Sequence, residues 1–301
     1  MTSPVPVRVG VDIGGTKIAA AVVEPGGRIR GKARVQTPRA DRIAETVAAL
    51  VREVAGGDPL GGVGIGAAGF ICADRSTVLT SANLDWHDAP LGVQVRDLLR
   101  VPVVIENDAN AAAWAEHRFG AGRGFDHVLT ITCGTGIGGG VICGGRLQRG
   151  AHGFAAEVGH VRFERGGLPC PCGQRGCWEQ YASGSALVRR AVGRVEADSG
   201  PQITRLALDG DPAARELLAE VGRDLGEGIA SLVAVLDPGV VVIGGGVSEA
   251  GDLFLDPVRT ALHAFLPGGS ETPRPQVRVA ELGNDAGIIG AADLAGEGLD
   301  G

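Results

Sequence analysis

The chain contains two copies of a pattern in which an apolar strand enters a glycine turn and a second strand leaves it. The first copy is VRVGVDIGGTKIAAAVV (7–23), which continues through a second turn, PGG, into a third apolar stretch. The second copy is HVLTITCGTGIGGGVICGGRL (127–147), with the same order of strands and turns. Apolar or alternating residues that resume directly after a glycine turn are typical of a β-meander. Because 301 residues exceed what one core usually holds, the two copies predict two related α/β halves.

Helical spacing and buried-strand patterns follow one another through the rest of the chain. The predicted helices cover 43–55, 108–120, 186–197, 215–236 and, at the end of the chain, 284–298. The predicted strands cover 62–69, 101–108 and the apolar run that begins at residue 241. We find no low-complexity segment between these elements.

Charge and hydropathy argue against two classes of partner. Lys and Arg number 28 against 35 Asp and Glu, a net charge of −7, and no Lys/Arg run forms a stripe that could follow phosphates. We therefore expect no nucleic acid as the main partner. The first residues, MTSPVPVR, lack the pattern of a secretory signal, and no apolar run approaches the roughly 18 residues of a membrane span. The expectation is a cytoplasmic protein without a membrane partner.

The glycine turns come close to two known nucleotide motifs and match neither. GVDIGGTK (10–17) nearly fits a Walker A loop, yet Thr16 precedes Lys17 and a strand follows where that loop requires a helix. GTGIGG (134–139) contains the spacing GxGxxG, and again the residues that follow do not favour a helix. A nicotinamide-dependent oxidoreductase is therefore rejected.

A second interpretation keeps these turns as phosphate sites. The open N–H groups of a glycine hairpin can converge on phosphate oxygens, and a carboxylate such as Asp12 could hold Mg²⁺. The alternative is that each turn is an ordinary tight hairpin. Three such turns at matching strand ends favour a shared nucleotide cleft. Its candidate residues are Asp12, Gly14, Gly15, Thr16, Lys17, Gly134, Thr135, Gly136, Gly245 and Gly246.

The segment ENDAN (106–110) lies where a predicted strand passes into a predicted helix. One interpretation is that Asn107 or Asp108 caps the helix, since both residue types do so readily. The other is that Asp108, at the carboxyl end of a strand, faces a ligand cleft and accepts a proton from a substrate hydroxyl. The two alternatives stay open at this point.

Three of the six cysteines fall within eight residues, in PCPCGQRGCWEQ (169–180). A structural zinc requires four Cys or His ligands, so Cys170, Cys172 and Cys177 need a fourth, and His160 is the first candidate before His152. The alternatives are reduced thiols without metal or a redox switch. The remaining cysteines carry no pattern and are expected in the core.

Two acidic residues flank this loop, Glu157 before it and Glu179 after it. A zinc that fixes the loop could hold both carboxylates and an imidazole in place. Carboxylates in a row suit a polyhydroxylated ligand such as a sugar, because each can accept two hydrogen bonds. The alternative is that both glutamates are ordinary surface residues.

Taken together, DIGGTK, ENDANAAAW, GTGIGGG, EVGH and CPCGQRGCWEQYASG resemble, in this order and spacing, sugar kinases of the ROK family. Within that family the pattern is most similar to glucokinases of the actinobacterial type, and it covers residues 8 to about 187. One departure is GAAGF (66–70), where many members have Pro-Gly. That departure leaves the range of acceptor sugars open.

The resemblance implies an α/β, actin-like ATPase (ribonuclease-H-like) fold with two α/β domains around a cleft. Residues 1–109 would form the smaller domain, completed by the C-terminal helix 285–301, and 110–284 the larger domain with the zinc loop. It also implies Asp108 as the base on the sugar 6-hydroxyl, bound ATP with Mg²⁺, and His160 shared between zinc and sugar. The implied sugar contacts are Asn83, Asn107, Asp108, Glu157, His160 and Glu179.

The expected function is therefore an ATP-dependent glucokinase, assembled as a dimer or tetramer. A sugar-binding transcriptional regulator of the same family is disfavoured, because DIGGT begins at residue 12 and leaves no room for a helix-turn-helix. Kinases for mannose, fructose, N-acetylglucosamine or N-acetylmannosamine stay open, as does polyphosphate as an additional donor. No motif reports the stereochemistry of a single hydroxyl.

Overall fold

A computed structural model describes residues 5–81, 86–268 and 273–297. In chain order the strands are β1 (Val7–Ile13), β2 (Lys17–Val23), β3 (Ile29–Gln36), β4 (Leu60–Ala67), β5 (Phe70–Ile71), β6 (Val78–Ser81), β7 (Trp86–Ala89), β8 (Val103–Asn107), β9 (Val128–Cys133), β10 (Ile137–Cys143), β11 (Arg146–Leu147), β12 (Val240–Gly244) and β13 (Gln276–Val279). The α-helices are α1 (Ile43–Ala55), α2 (Leu91–Leu99), α3 (Asp108–Phe119), α4 (Glu179–Ala182), α5 (Gly184–Ala191), α6 (Gly200–Leu208), α7 (Pro212–Leu236), α8 (Asp252–Phe265) and α9 (Ala286–Glu297).

The first sheet has the strand order β3-β2-β1-β4-β8. Strands β1, β2 and β3 pair antiparallel through the glycine turns, so the predicted meander is confirmed. Strands β1, β4 and β8 pair parallel, which places the carboxyl ends of all three at one edge. That edge carries Asp12 and Asn107, because each stands near the end of its strand.

The second sheet repeats this arrangement with the order β11-β10-β9-β12-β13. Strands β9, β10 and β11 form an antiparallel meander, and β12 and β13 are added parallel to β9. The two copies seen in the sequence therefore become two sheets of equal topology, and the predicted α/β class is confirmed. A small antiparallel sheet, β5-β6-β7, follows β4 in the first half.

Helix α1 covers the predicted 43–55, and α3 ends one residue before Gly120. The helix predicted over 186–197 was wrong in its second half. Helix α5 ends at Ala191, because Gly193 has φ +75°, a left-handed backbone that ends a helix. The chain then forms α6, which the periodicity did not indicate.

Helix α9 packs against β1 and β4 on one side and against α3 on the other. Glycines allow backbone to meet backbone there. A Cβ built on Gly10 would lie 1.9 Å from the carbonyl oxygen of Ile288, and one on Gly64 would lie 1.7 Å from that of Ala291. The last described helix is thereby joined to the first sheet, beside the helix that begins at Asp108.

The buried carboxylate of Glu116 fixes the point where the chain enters this helix. It accepts backbone N–H groups from Ala121, Glu281 and Leu282 at 2.8 to 3.1 Å. A buried charge is stable when its oxygens are filled in this way. Among the described residues, no helix has both the length and the apolar character needed to span a bilayer.

Candidate active site

Asn107, and not Asp108, takes the capping role that the sequence left open between them. Asn107 caps α3, because its Oδ1 accepts the N–H of Asn110 at 3.0 Å. Its Nδ2 donates to the carbonyl of Gly69 at 3.2 Å, which fixes the loop after β4. Asp108 is the first residue of the helix and makes no such cap. Burial raises the pKa of Asp108 above its ordinary range, against the lowering effect of nearby backbone N–H groups.

Two further carboxylates lie within electrostatic reach of Asp108. Burial, followed by the charge of Asp108, raises the pKa of Asp12 to about 6, while Lys17 and Lys32 oppose the shift. Burial also raises the pKa of Glu157, with His160 opposing it and Asp108 contributing to it. Raised carboxyl pKa values in one cleft are typical of acid–base sites.

A short 3₁₀ turn, Val158–His160, carries the histidine of this cluster. The N–H of His160 donates to the carbonyl of Glu157 at 3.1 Å, so the two residues lie three apart on one turn. Side chains at this spacing point the same way in a 3₁₀ helix. The sequence EVGH thus places a carboxylate next to an imidazole.

The predicted metal ligands come together. One ligand atom each from His160, Cys170, Cys172 and Cys177 lies within 4.8 Å of the others. The sulfurs of Cys172 and Cys177 are 3.6 Å apart, and Nδ1 of His160 is 3.7 Å from the sulfur of Cys170. Tetrahedral zinc with Zn–S of about 2.3 Å requires sulfurs about 3.8 Å apart. The donor set and its spacing therefore fit zinc, and His152 is exposed and outside the cluster.

The fold of the loop explains how three cysteines converge. Gly173 and Gly176 have φ +88° and +78°, and a Cβ on Gly176 would lie 1.7 Å from the carbonyl oxygen of Glu164. The buried Trp178 then anchors the loop to α7, since its indole N–H donates to the carbonyl of Asp224 at 2.9 Å. Glycine at these turns is a steric requirement.

Glu179 lies between the metal cluster and the second glycine turn. Its Oε1 is 3.0 Å from the sulfur of Cys170 and 3.8 Å from Nδ1 of His160. Its Oε2 would lie 2.7 Å from a Cβ on Gly136. Neither flanking glutamate is an ordinary surface residue, because both are half-buried in the cleft.

The first and second glycine turns are held by different backbone hydrogen bonds. In the first turn, Gly14 donates to the carbonyl of Lys17 at 3.0 Å, and Gly15, Thr16 and Lys17 are exposed. In the second, the carbonyl of Gly134 accepts the N–H of Gly184 at 2.7 Å, which ties the turn to α5. Open N–H groups beside a bound turn are suited to phosphate oxygens.

The second and third turns share a cavity of about 680 Å³. At the third turn Gly245 has φ +89°, and a Cβ there would lie 2.4 Å from the carbonyl oxygen of Cys133. The cavity lining includes Gly134, Thr135, Gly184, Ser185, Arg189, Asp198, Ser199, Thr204, Gly246 and Glu249. The first turn is not part of this lining. Asp12, which lies near the end of β1 just before this turn, interacts electrostatically with Asp108.

Sequence reasoning missed the polar residues that α5 and α6 bring to this cavity, such as Ser185, Asp198 and Ser199. The Ser199-Gly200-Pro201 start of α6 was a local signal for a helix N-terminus that was not used. Asn83, predicted as a sugar contact, lies outside the described residues.

A family model described as "ROK family" matches residues 8–297. The chain belongs to the ROK family. It is 46% identical to a glucokinase of Streptomyces coelicolor over 96% of this chain and 97% of the relative. The crystal structure of a ROK family glucokinase from Streptomyces griseus in complex with glucose and AMPPNP is 47% identical, with a TM-score of 0.88 over 97% of this chain and 99% of that one.

A second solved structure, the ROK hexokinase from Thermus thermophilus, is 38% identical with a TM-score of 0.84 over 98% of this chain and 100% of that chain. These similarities confirm the predicted family. They also confirm the ROK sugar-kinase fold, a mixed α/β structure consistent with the actin-like ATPase fold that the resemblance implied.

Proposed function

We propose that this ROK protein is an ATP-dependent glucokinase that phosphorylates the 6-hydroxyl of glucose, with Asp108 as the general base. One observation carries the proposal. Asp108 stands at the carboxyl edge of the first sheet, free of the capping role that Asn107 takes, between Asp12 and Glu157. The relatives named glucokinase and the Streptomyces griseus complex with glucose support this assignment.

The sugar would lie between the first turn of α3 and the zinc loop. Asn107, Glu157, His160 and Glu179 supply amide, carboxylate and imidazole groups around Asp108. A polyhydroxylated ligand needs such acceptors on several sides at once. Asn83, as an additional contact, belongs to the same proposal.

Zinc, when bound, would be a structural ion held by His160, Cys170, Cys172 and Cys177, with every ligand position filled by protein. Nδ1 of His160 faces the sulfurs, which leaves Nε2 for a sugar hydroxyl. The loop would thus hold an imidazole and the nearby Glu179 at fixed places against the sugar.

ATP would occupy the 680 Å³ cavity, with its phosphates toward the second glycine turn and the Asp12–Lys17 turn. The N–H groups of Gly15, Thr16, Thr135 and Gly136 and the ammonium of Lys17 would neutralise phosphate charge. Asp12 would offer an oxygen ligand to Mg²⁺, which, when bound with ATP, would neutralise part of the phosphate charge.

In the reaction, Asp108 accepts the proton of the 6-hydroxyl as that oxygen attacks the γ-phosphorus. The bond to the β–γ bridging oxygen breaks, and ADP leaves. In its ionised form, a carboxylate with a raised pKa, such as Asp108, is a stronger base than an ordinary aspartate. Positioning by Asn107 and Glu157 would contribute much of the remaining acceleration.

The two sheets support the domain division as part of this proposal. The first sheet lies within 1–109 and the second within 110–284, and α9 packs on β1 and β4. Helix α3 crosses the boundary at its first turn, so Asp108 would stand where the two domains meet.

The variant Asp108→Asn tests the assigned base. We expect turnover of ATP with glucose to fall by at least about 10²-fold, while glucose binding measured by calorimetry stays within about fivefold. Asp256→Asn, an exposed aspartate on α8, serves as the matched control and is expected to keep wild-type turnover. Wild-type turnover in Asp108→Asn would refute the assignment of the base.

A further inference from the structure

The buried carboxylate of Glu106 stands two residues before the proposed base and has no part in the proposed reaction. It is 3% exposed. Its Oε2 accepts the Nε–H of Arg149 at 2.6 Å, and Nε of Arg75 lies 3.7 Å from the same oxygen. Its Oε1 accepts the N–H of Asn107 at 3.1 Å and the Nδ2–H of Asn110 at 3.3 Å. The carboxylate therefore connects an arginine to the first turn of α3.

Those two asparagines bracket Asp108 on either side. Asn107 immediately precedes it, and the N–H of Asn110 closes the cap on Oδ1 of Asn107. The residues that flank the base are thus both bound to one oxygen of Glu106. A shift of that oxygen would move the backbone from which the Asp108 side chain extends.

Arg149 reaches Glu106 from the other half of the molecule. It follows β11, a strand of the second sheet, while Glu106 lies on β8 of the first. The N–H of Ala155 donates to the carbonyl of Arg149 at 3.1 Å, so 149–155 is a closed loop. This loop leads within two residues to Glu157.

The same loop rests on the first half at two further points. Gly153 has φ +87°, and a Cβ there would lie 2.1 Å from the carbonyl oxygen of Ile71. The ring of Phe154 lies 4.9 Å, centroid to centroid, from that of Phe70. One segment therefore begins at the ion pair with Glu106, crosses to the first half, and ends at Glu157 in the site.

Stability alone is a weak reason to bury this pair. Removing two charges from water costs about as much as their attraction returns, and an apolar pair of similar volume is often as stable. What a buried pair with fixed hydrogen bonds does provide is a defined geometry between the parts it joins. Here those parts are the turn that carries Asp108 and the loop that carries Glu157.

We propose that Arg149 is a positioning residue for phosphoryl transfer: through Glu106 it holds Asp108 in a fixed place relative to Glu157. The proposal rests on the proposed function, because its readout is the turnover of that site. Arg149 itself would touch neither the sugar nor the nucleotide. Arg75 lies on the same half as Glu106, so it cannot replace this link between the halves.

The test compares Arg149→Met, Arg149→Lys and Glu106→Gln with the double variant of Arg149→Met and Glu106→Gln. Arg194→Met, which breaks the ion pairs of an exposed arginine with Glu216 and Glu220, is the control. Each protein is titrated with glucose to count binding-competent chains, and kcat is expressed per competent chain. A merely structural role would change that count or the melting temperature but not kcat per competent chain.

We expect kcat of Arg149→Met to fall by about 10- to 100-fold, as for a misplaced catalytic group, with the dissociation constant of glucose changed less than about threefold. Arg149→Lys keeps the charge and is expected to recover a large part of kcat. The double variant removes both charges of the Arg149–Glu106 pair and is expected to lose no more kcat than Arg149→Met, because both changes break one link. Arg194→Met is expected to keep wild-type kcat.

Two failures are distinguishable. If the wild-type chain phosphorylates no sugar, the proposed function is wrong, and this proposal falls with it. If the wild-type chain turns over glucose and Arg149→Met keeps its kcat within about twofold, the role of Arg149 alone is refuted. If the fold-loss in kcat of the double variant equals the product of the losses in Arg149→Met and Glu106→Gln, the two residues act independently, and the link through Glu106 is also refuted.

Discussion

The raised pKa of Asp12 predicts that burying this carboxyl group costs the protein stability at neutral pH. Burial and the charge of Asp108 raise this pKa from an ordinary 3.8 to about 6, against Lys17 and Lys32. A carboxyl with a raised folded pKa contributes stability while it is protonated, and loses that contribution as pH rises through the folded value. The variant Asp12→Asn removes the ionisation and keeps the shape of the side chain.

The size of the effect follows from the two pKa values. With 3.8 in the unfolded chain and about 6 in the folded one, ionisation costs the folded state at most about 3 kcal/mol near pH 8. The same linkage gives about 1.6 kcal/mol near pH 5 and about 0.1 kcal/mol near pH 3. Asp12→Asn should therefore be more stable than the wild type near pH 8, with a difference that fades toward pH 3.

The assay is urea unfolding at several pH values between about 3 and 8, in buffer without magnesium or nucleotide. Asp41→Asn is the control, because Asp41 is exposed and lies 3.6 Å from the exposed Arg39. Its free energy of unfolding should follow the wild type at every pH. A stability gain of Asp12→Asn that does not change with pH, or a loss at pH 8, would refute this account of the buried charge.

Two further changes test the packing and the metal cluster. Gly64→Ala places a Cβ 1.7 Å from the carbonyl oxygen of Ala291 and should lower the free energy of unfolding in urea by about 3 kcal/mol. Gly62→Ala, on the same strand, meets only ordinary contacts at 3.7 Å and should lower it by less than about 1 kcal/mol. Equal unfolding midpoints for the two variants would contradict the close approach of α9. Protein purified without added metal should contain about one zinc per chain by mass spectrometry. Cys172→Ser should lose both the zinc and thermal stability, whereas Cys143→Ser, a change at an exposed cysteine, should keep both. Metal-free wild type with the same melting temperature as the purified protein would contradict the zinc assignment.

The features that the sequence predicted correctly are local ones. The meanders follow from glycine turns followed directly by apolar strands, and the convergence of three cysteines with a histidine follows from the spacing of His160 ten residues before Cys170. In both cases the interacting residues are near one another in sequence, so the spacing of residue types indicates the contact. Gly193 shows the opposite case, since its left-handed backbone ended a helix that periodicity had extended.

What could not be predicted depends on contacts between distant segments. Glu106 and Arg149 stand 43 residues apart and on different sheets, and neither has a neighbour in sequence that indicates the pair. Asp198 and Ser199 reach the 680 Å³ cavity only because α6 folds against the third glycine turn. Reading Asn107 as the cap and Asp108 as free likewise required the geometry of the first turn of α3.

The most direct test of the central claim is ATP-dependent release of ADP, measured with wild-type protein supplied with zinc, against glucose, mannose, fructose, N-acetylglucosamine and N-acetylmannosamine. The account predicts that glucose gives the highest kcat/KM and that Asp108→Asn turns over each of the five sugars at least about 10²-fold more slowly than the wild type. Highest turnover with another of these sugars would contradict the assignment to glucose while leaving the role of Asp108 intact. If folded protein released no ADP with any of them, the chain would not be a hexose kinase.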